Sequence, residues 1–233
     1  MSARPFERPA TIALPETPGL PAGASLEGLW LPPRMPSAAE ADTDADVASA
    51  APPRGGAIVA APHPLMGGSL DSPVATELGL AASDAGYVSL RFNWRGVGAS
   101  AGKPSGEMAD ADADTTAALD FVQASVEGGI VACGYSWGSL AVFRTCIAAP
   151  RVKKLVLVAP PASMLDRARF ERSRKPTLIV TGDRDDYVPV EELRRLVDGL
   201  AQVELVVLPG VDHFFMLGLL ELGRSVRSWL RSR

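Results

Sequence analysis

The chain has 233 residues, of which 47% are hydrophobic, with 27 acidic side chains against 23 basic ones and a net charge of -4. That length suffices for one domain with a large core. No basic stripe marks a nucleic-acid partner, no apolar run is long enough to cross a membrane, and Met1–Arg8 lacks the apolar centre of a signal peptide, so a cytoplasmic protein acting on a small molecule is expected.

In chain order, Thr11–Leu14 and Leu26–Leu31 read as two strands of a hairpin joined by a Pro/Gly turn. From Pro32 to Arg54 the composition shifts to Pro, Ala, Ser and Asp, with Glu40, Asp42, Asp44 and Asp46 close together. Such a segment buries no core and is expected to be a mobile loop over 32–54. Ala57–Ala61 is a strand. A helix is expected after Asp71-Ser72-Pro73, with Ser72 as cap and Pro73 in the first turn, running to about Ala85. Tyr87–Phe92 is the next strand, and Glu107 to Val126 a helix with its acidic residues in the first half, matching the helix dipole. Strand Gly129–Cys133 leads through a glycine-flanked serine into a helix over Leu140–Ala149. Leu155–Ala159 and Thr177–Thr181 are strands, Val190–Leu200 a helix, Val203–Leu208 a strand, and Leu217–Leu230 the closing helix. Apolar strands alternating with helices predict a doubly wound, mostly parallel α/β sheet with helices on both faces, whose ligands lie at the carboxyl ends of the strands.

The chemistry gathers at those ends. Gly134-Tyr135-Ser136-Trp137-Gly138, between a strand and a helix, has the spacing of a nucleophile elbow. The turn is too tight for side chains two residues either side of the serine, hence the glycines. The serine oxygen then stands at the head of a helix, where the Trp137 N–H is placed to stabilise an oxyanion. There are two histidines, His63 and His213, and a serine nucleophile needs one as its base. His213 follows the last strand. A carboxylate to orient it is expected in Gly182-Asp183-Arg184-Asp185-Asp186-Tyr187-Val188-Pro189, where any of three aspartates could serve. Serine, aspartate, histidine is one of the known chain orders of this triad. A second oxyanion donor should come from the loop after an early strand, Ala61-Pro62-His63-Pro64-Leu65-Met66-Gly67-Gly68. Pro64 has no N–H, so Leu65 is the first candidate, with Met66 behind it, and His63 then orients the loop or touches substrate. Asn93-Trp94-Arg95-Gly96-Val97-Gly98-Ala99-Ser100 lacks the glycines of a dinucleotide loop and the lysine of a Walker loop, and reads as a structural turn with Arg95 as a buried charge partner. Cys133 and Cys146 sit at apolar positions and read as buried free thiols. The two histidines have no metal-ligand spacing, so neither metal nor cofactor is expected.

These segments together, with Arg91-Phe92 and Asp212-His213-Phe214-Phe215, resemble the small, lidless α/β hydrolases, in particular bacterial esterase-like proteins related to dienelactone hydrolases. The resemblance runs from about Gly56 to the C-terminus. It implies the α/β-hydrolase fold without a lid domain and singles out Asp185, the aspartate of Gly-x-x-Asp-x-x-Val-Pro, as the acid. Dienelactone hydrolases use a cysteine where this chain has Ser136.

The combined expectation is a single domain over 1–233 that hydrolyses carboxylic esters or thioesters through Ser136, Asp185 and His213, with Trp137 and Leu65 as oxyanion donors. An acyltransferase or biosynthetic tailoring enzyme on the same triad is the alternative. Pro160–Pro176 has room for one short helix, around Met164–Arg169, and not for a lid. Substrate contacts are expected from His63, Met66, Met164 and Phe214, within an apolar wall of Leu65, Met66, Trp137, Met164, Phe214 and Phe215 that suits short acyl chains.

Overall fold

The computed structural model describes residues 6–17, 19–34 and 52–232. Among them lie eight strands: β1 (Arg8–Ala13), β2 (Ser25–Leu31), β3 (Gly55–Ala60), β4 (Val88–Phe92), β5 (Gly129–Tyr135), β6 (Val152–Val158), β7 (Thr177–Gly182) and β8 (Val203–Leu208). They form one sheet in the order β1-β2-β4-β3-β5-β6-β7-β8. The expected hairpin of β1 and β2 is antiparallel, and β2 runs antiparallel to β4. All other neighbours are parallel. The helices are α1 (Pro73–Asp84), α2 (Met108–Ser125), α3 (Trp137–Cys146), α4 (Arg167–Ser173), α5 (Val190–Val197) and α6 (Leu219–Ser232). α1 packs against α6 and α2 against α3, covering the two faces.

The apolar runs explain this order. Every residue of β3, β4 and β7 is buried, as a strand covered on both faces must be, whereas β1 and β8 at the edges are only partly buried. The chain leaves β3 for β4 on one side and returns across β3 to β5 on the other. The winding therefore reverses beside β3 and β5, and the crevice at their carboxyl ends is where such sheets bind ligands. Both the His63–Gly68 loop and the elbow open into it.

Several boundaries differ from the sequence reading. α3 begins at Trp137 rather than Leu140, directly after the serine, and ends at Cys146. α5 stops at Val197, and α6 starts at Leu219. Ser72 stands at the N-cap of α1 with Pro73 in the first turn, as expected, but its side chain makes no cap bond. Between β6 and β7 the single helix expected around Met164–Arg169 is instead a 3₁₀ turn, Ala162–Met164, and helix α4. Asp166 separates them: its carboxylate accepts the Ala168 N–H at 2.9 Å and caps α4, a signal present in the sequence. Of the loop expected over 32–54, residues 35–51 lie outside the described residues. On either side of them, the N–H of Arg34 donates to the Ser83 carbonyl and that of Arg54 to the Gly86 carbonyl, so one flank is pinned to the last turn of α1 and the other to the turn that follows it.

The Asn93–Ser100 turn is structural. Arg95 donates from its backbone N–H and its guanidinium to Asp114, at 2.8–3.0 Å, and also pairs with Asp110. The Asp114 side chain is 1% exposed and that of Asp110 36%. Removing one partner of a buried pair strands the other charge, whereas an exposed pair contributes little. Asp114→Ala should therefore cost about 3 kcal/mol of stability by urea unfolding, and Asp110→Ala less than about 1 kcal/mol. Equal losses would show that the two carboxylates share Arg95 evenly.

Candidate active site

Ser136 joins the end of β5 to the start of α3 with φ 52° and ψ -115°. A left-handed backbone is costly for a residue with a Cβ and persists only where its surroundings enforce it. Here the Ser136 N–H donates to the Val158 carbonyl at 2.8 Å, and the buried Ser139 hydroxyl bonds the carbonyls of Gly134 and Val158 at 2.7 and 2.9 Å. The glycines follow from close approach. A Cβ on Gly134 would stand 2.3 Å from the Gly138 carbonyl oxygen, and one on Gly138 2.3 Å from that of Ala60 at the end of β3.

The His213 ring reaches this serine from the segment after β8. Its Nε2 lies 3.1 Å from Ser136 Oγ and its Nδ1 2.8 Å from Asp185 Oδ2. With Nδ1–H donating to the carboxylate, Nε2 is left to accept the serine proton. The other carboxylate oxygen, Oδ1, accepts the N–H groups of Tyr187 and Val188 at 2.9 Å each. The Asp185 side chain is fully buried, while Asp183 and Asp186 are exposed, and Asp183 is engaged with the Gly210 N–H. The structure thus brings Ser136, His213 and Asp185 into one line of hydrogen bonds and leaves the neighbouring aspartates outside it.

Two tyrosines that the sequence reading passed over belong to this arrangement. Tyr135, the variable position inside the elbow motif, donates its hydroxyl to the His213 carbonyl at 2.8 Å. Burial, followed by the charges of Asp185 and Asp212, pushes its phenol well above the ordinary value, so it stays a donor. Tyr187 lies against the imidazole, with ring centroids 4.9 Å apart. Its signal was its place two residues after Asp185, where the same turn that binds the carboxylate carries the ring to the histidine.

On the β3 side the expected donors are present but engaged. Pro64–Met66 forms a 3₁₀ turn ended by Gly67 at φ 80°. The Leu65 N–H donates to His63 Nδ1 at 3.2 Å, and the N–H groups of Met66 and Gly68 donate to the His63 carbonyl at 3.0 Å each. The His63 ring packs on Trp137, with centroids 4.4 Å apart. The loop is braced from β4. Trp94 Nε1 donates to the carbonyls of Ala61 and Pro62, Asn93 Oδ1 accepts the Leu70 N–H at 2.8 Å, and the buried Arg91 guanidinium holds the Leu70 carbonyl. Across the crevice Trp137, first residue of α3, has an N–H for which the helix supplies no acceptor.

Of the expected substrate contacts, Met66, Met164 and Phe214 are exposed and His63 is half-buried. Phe214 sits beside His213 and Tyr187. Leu65 is exposed as well. Phe215 is a correction: it is fully buried, with φ 56°, and packs edge-on to Tyr135 at 6.2 Å. The left-handed residue turns the chain so that Phe214 faces out and Phe215 faces the core. The cysteines are free and buried, which pushes their thiols up, Cys133 to about 12 and Cys146 to about 11, so both stay protonated and unreactive. Among the described residues no group of three potential metal ligands gathers.

A sequence family described as the α/β hydrolase fold matches residues 65–171, a stretch that includes Ser136 and ends before Asp185 and His213. An uncharacterized protein of Rickettsia prowazekii is 28% identical over 189 residues, covering 75% of this chain and 77% of its own. Among solved structures, an α/β serine hydrolase homologue from Coxiella burnetii is 28% identical, covers 99% of this chain and 98% of that one, and superposes with a TM-score of 0.74. An α/β serine hydrolase from Xanthomonas campestris, described as lacking a lid, is 27% identical and covers 97% of this chain and 96% of that one, again with a TM-score of 0.74. The chain has the α/β-hydrolase fold, and two solved structures it resembles along nearly its whole length are described as an α/β serine hydrolase homologue and as a lidless α/β serine hydrolase.

Proposed function

We propose that the protein is a single-domain serine hydrolase that cleaves small carboxylic esters or thioesters through an acyl-enzyme, without a cofactor. The observation that carries this reading is the unbroken line from Ser136 Oγ through the His213 ring to the buried Asp185 carboxylate, at 3.1 and 2.8 Å. Ser136 Oγ attacks the acyl carbon as its proton passes to His213 Nε2, and the carbonyl electrons move onto oxygen. That oxyanion forms at the head of α3, against the Trp137 N–H and, from the β3 side, the Leu65 N–H. The carbon–oxygen or carbon–sulfur bond then breaks, and the imidazolium gives its proton to the leaving group. Water repeats the sequence on the acyl-enzyme and releases the acid and free Ser136. Asp185 keeps the imidazole in the tautomer that leaves Nε2 free to accept and stabilises the imidazolium.

A fluorophosphonate should label Ser136 and no other residue, and Ser136→Ala should lose on the order of 10⁶ in kcat. Peptide mass mapping of the labelled protein checks the first point, and an adduct on Ser139 would defeat the assignment.

The three aspartates should separate. Asp185→Asn should lower kcat on the order of 10⁴-fold, because an amide in its place favours the wrong imidazole tautomer. Asp183→Asn and Asp186→Asn, exposed and away from the ring, should stay within about tenfold of wild type. Steady-state kinetics on one ester decides this, and equal losses at Asp183 and Asp185 would contradict the assignment.

Leu65, Met66, Met164, Tyr187 and Phe214 are exposed, and on this reading they form the apolar rim of the acyl site. Each methylene laid against such a rim is worth up to about 0.8 kcal/mol, and methylenes reaching past it gain nothing. The specificity constant should therefore peak at short acyl groups, with no jump when substrate aggregates. A series of p-nitrophenyl esters from acetate to palmitate, assayed below and above their solubility limits, tests this; a maximum at palmitate would overturn it.

A further inference from the structure

Both N–H groups expected to serve as the oxyanion donor of the β3 loop are bonded to one residue, His63: Met66 to its backbone carbonyl and Leu65 to its side chain. The two bonds differ in kind. The first belongs to the 3₁₀ turn and is fixed by the backbone. The second, at 3.2 Å, is set by where the imidazole ring stands. That ring does not stand freely. It packs against the Trp137 side chain with centroids 4.4 Å apart, and Gly106 approaches it so closely that a Cβ there would lie 3.3 Å from its Cε1. Trp137 in turn carries the backbone N–H at the head of α3. One imidazole therefore touches both walls of the crevice, by a hydrogen bond to Leu65 and by ring contact with the residue that bears the opposite donor.

We infer that His63 is a positioning residue for the oxyanion site: its Nδ1 aims the Leu65 N–H, and its ring, held on Trp137, keeps that N–H in register with the Trp137 N–H across the crevice. This assignment rests on the hydrolase reading of the site and goes beyond it, since it gives His63 neither a proton-transfer role nor a substrate contact. Nδ1 accepts the Leu65 N–H only when it carries no proton, so the ring's proton sits on Nε2. Burial lowers the pKa of His63, which favours that neutral form. The Leu65 N–H, with a bond of 3.2 Å to a neutral acceptor, can exchange it for an oxygen that acquires charge, because a charged acceptor holds an N–H about twice as strongly as a neutral one. The Met66 N–H, locked in the turn, does not.

A donor that matters most when charge develops affects kcat and leaves KM nearly unchanged. His63→Phe keeps a ring to lie on Trp137 and removes the acceptor; His63→Asn keeps an acceptor close to the position of Nδ1 and removes the ring. Loss of an oxyanion donor costs about 10²–10³ in kcat. His63→Phe, which misaligns one donor, should lower kcat by roughly 10–10² with KM within about threefold. His63→Asn should recover to within about tenfold of wild type. An alkyl boronic acid, whose adduct with Ser136 mimics the tetrahedral oxyanion, should lose affinity for His63→Phe by a factor similar to the loss in kcat. A rise in KM at unchanged kcat would make His63 a substrate contact and overturn the assignment, as would Asn performing no better than Phe. Should the variants fold poorly, ¹⁵N NMR of the wild type decides instead. Nδ1 of His63 must show the shift of an unprotonated acceptor, and the Leu65 amide must move when Ser136 is phosphonylated; a protonated Nδ1 or a static Leu65 amide overturns it. If wild type neither hydrolyses esters nor takes up a fluorophosphonate, the hydrolase reading falls and this assignment with it. An active wild type with substrate-contact behaviour at His63 removes only the assignment.

Discussion

The geometry of the site depends on the left-handed backbone of Ser136, which the surrounding structure holds in place. At φ 52° the residue carries a conformational cost that isolated chain would not bear. The Val158 carbonyl accepts its N–H, and the Ser139 hydroxyl ties the turn to β5 and β6. The same turn presses Gly138 onto the Ala60 carbonyl, with no room for a methyl group. Three consequences follow from one constraint. The serine oxygen points out of the sheet, the head of α3 lies beside it, and the end of β3 is fixed next to that helix. Because β3 continues into the His63–Gly68 loop, the distance between the two walls of the crevice is set by backbone contact rather than by flexible side chains.

The polar groups around the serine are held with similar economy. The Asp185 carboxylate is buried, and a buried charge needs full hydrogen bonding. One oxygen is satisfied by two backbone N–H groups of its own turn and the other by His213. The histidine is held from behind by Tyr135 through its carbonyl, and its segment is anchored by the buried ring of Phe215. On the opposite wall the Arg91–Trp94 segment supports the β3 loop through three side chains bonded to its backbone. Arg95 then fastens the following turn to α2 through Asp114. The glycine-containing stretch after β4 is thus a strut, as expected of a structural turn, and its side chains serve the neighbouring backbone.

Between β6 and β7, where a lid could be inserted, the chain makes only a 3₁₀ turn and the short α4. The apolar side chains at the mouth consequently face solvent. In the proposed hydrolase, an open mouth of this kind would gain binding energy only from the part of a substrate that lies against it.

The sequence by itself determined the local patterns. Buried parallel strands appeared as continuous apolar runs, their alternation with helices indicated a parallel α/β sheet, and the elbow was legible because backbone strain demands glycine at fixed spacing. Those signals are local, and local physics carries them. What depended on distant parts of the chain was decided by the tertiary structure. Three aspartates of Gly182–Asp186 are equivalent by composition, and the family resemblance favoured one; only packing of the turn separates a buried Asp185 from two exposed neighbours. Phe214 and Phe215 are adjacent and chemically alike, and a left-handed residue sends one outward and the other into the core. The reach of Tyr135 across 78 positions to the His213 carbonyl and the contact of His63 with Trp137 both join segments far apart in sequence. No periodicity encodes such pairings, because a side chain's direction and its partners are set when the sheet brings strand ends together.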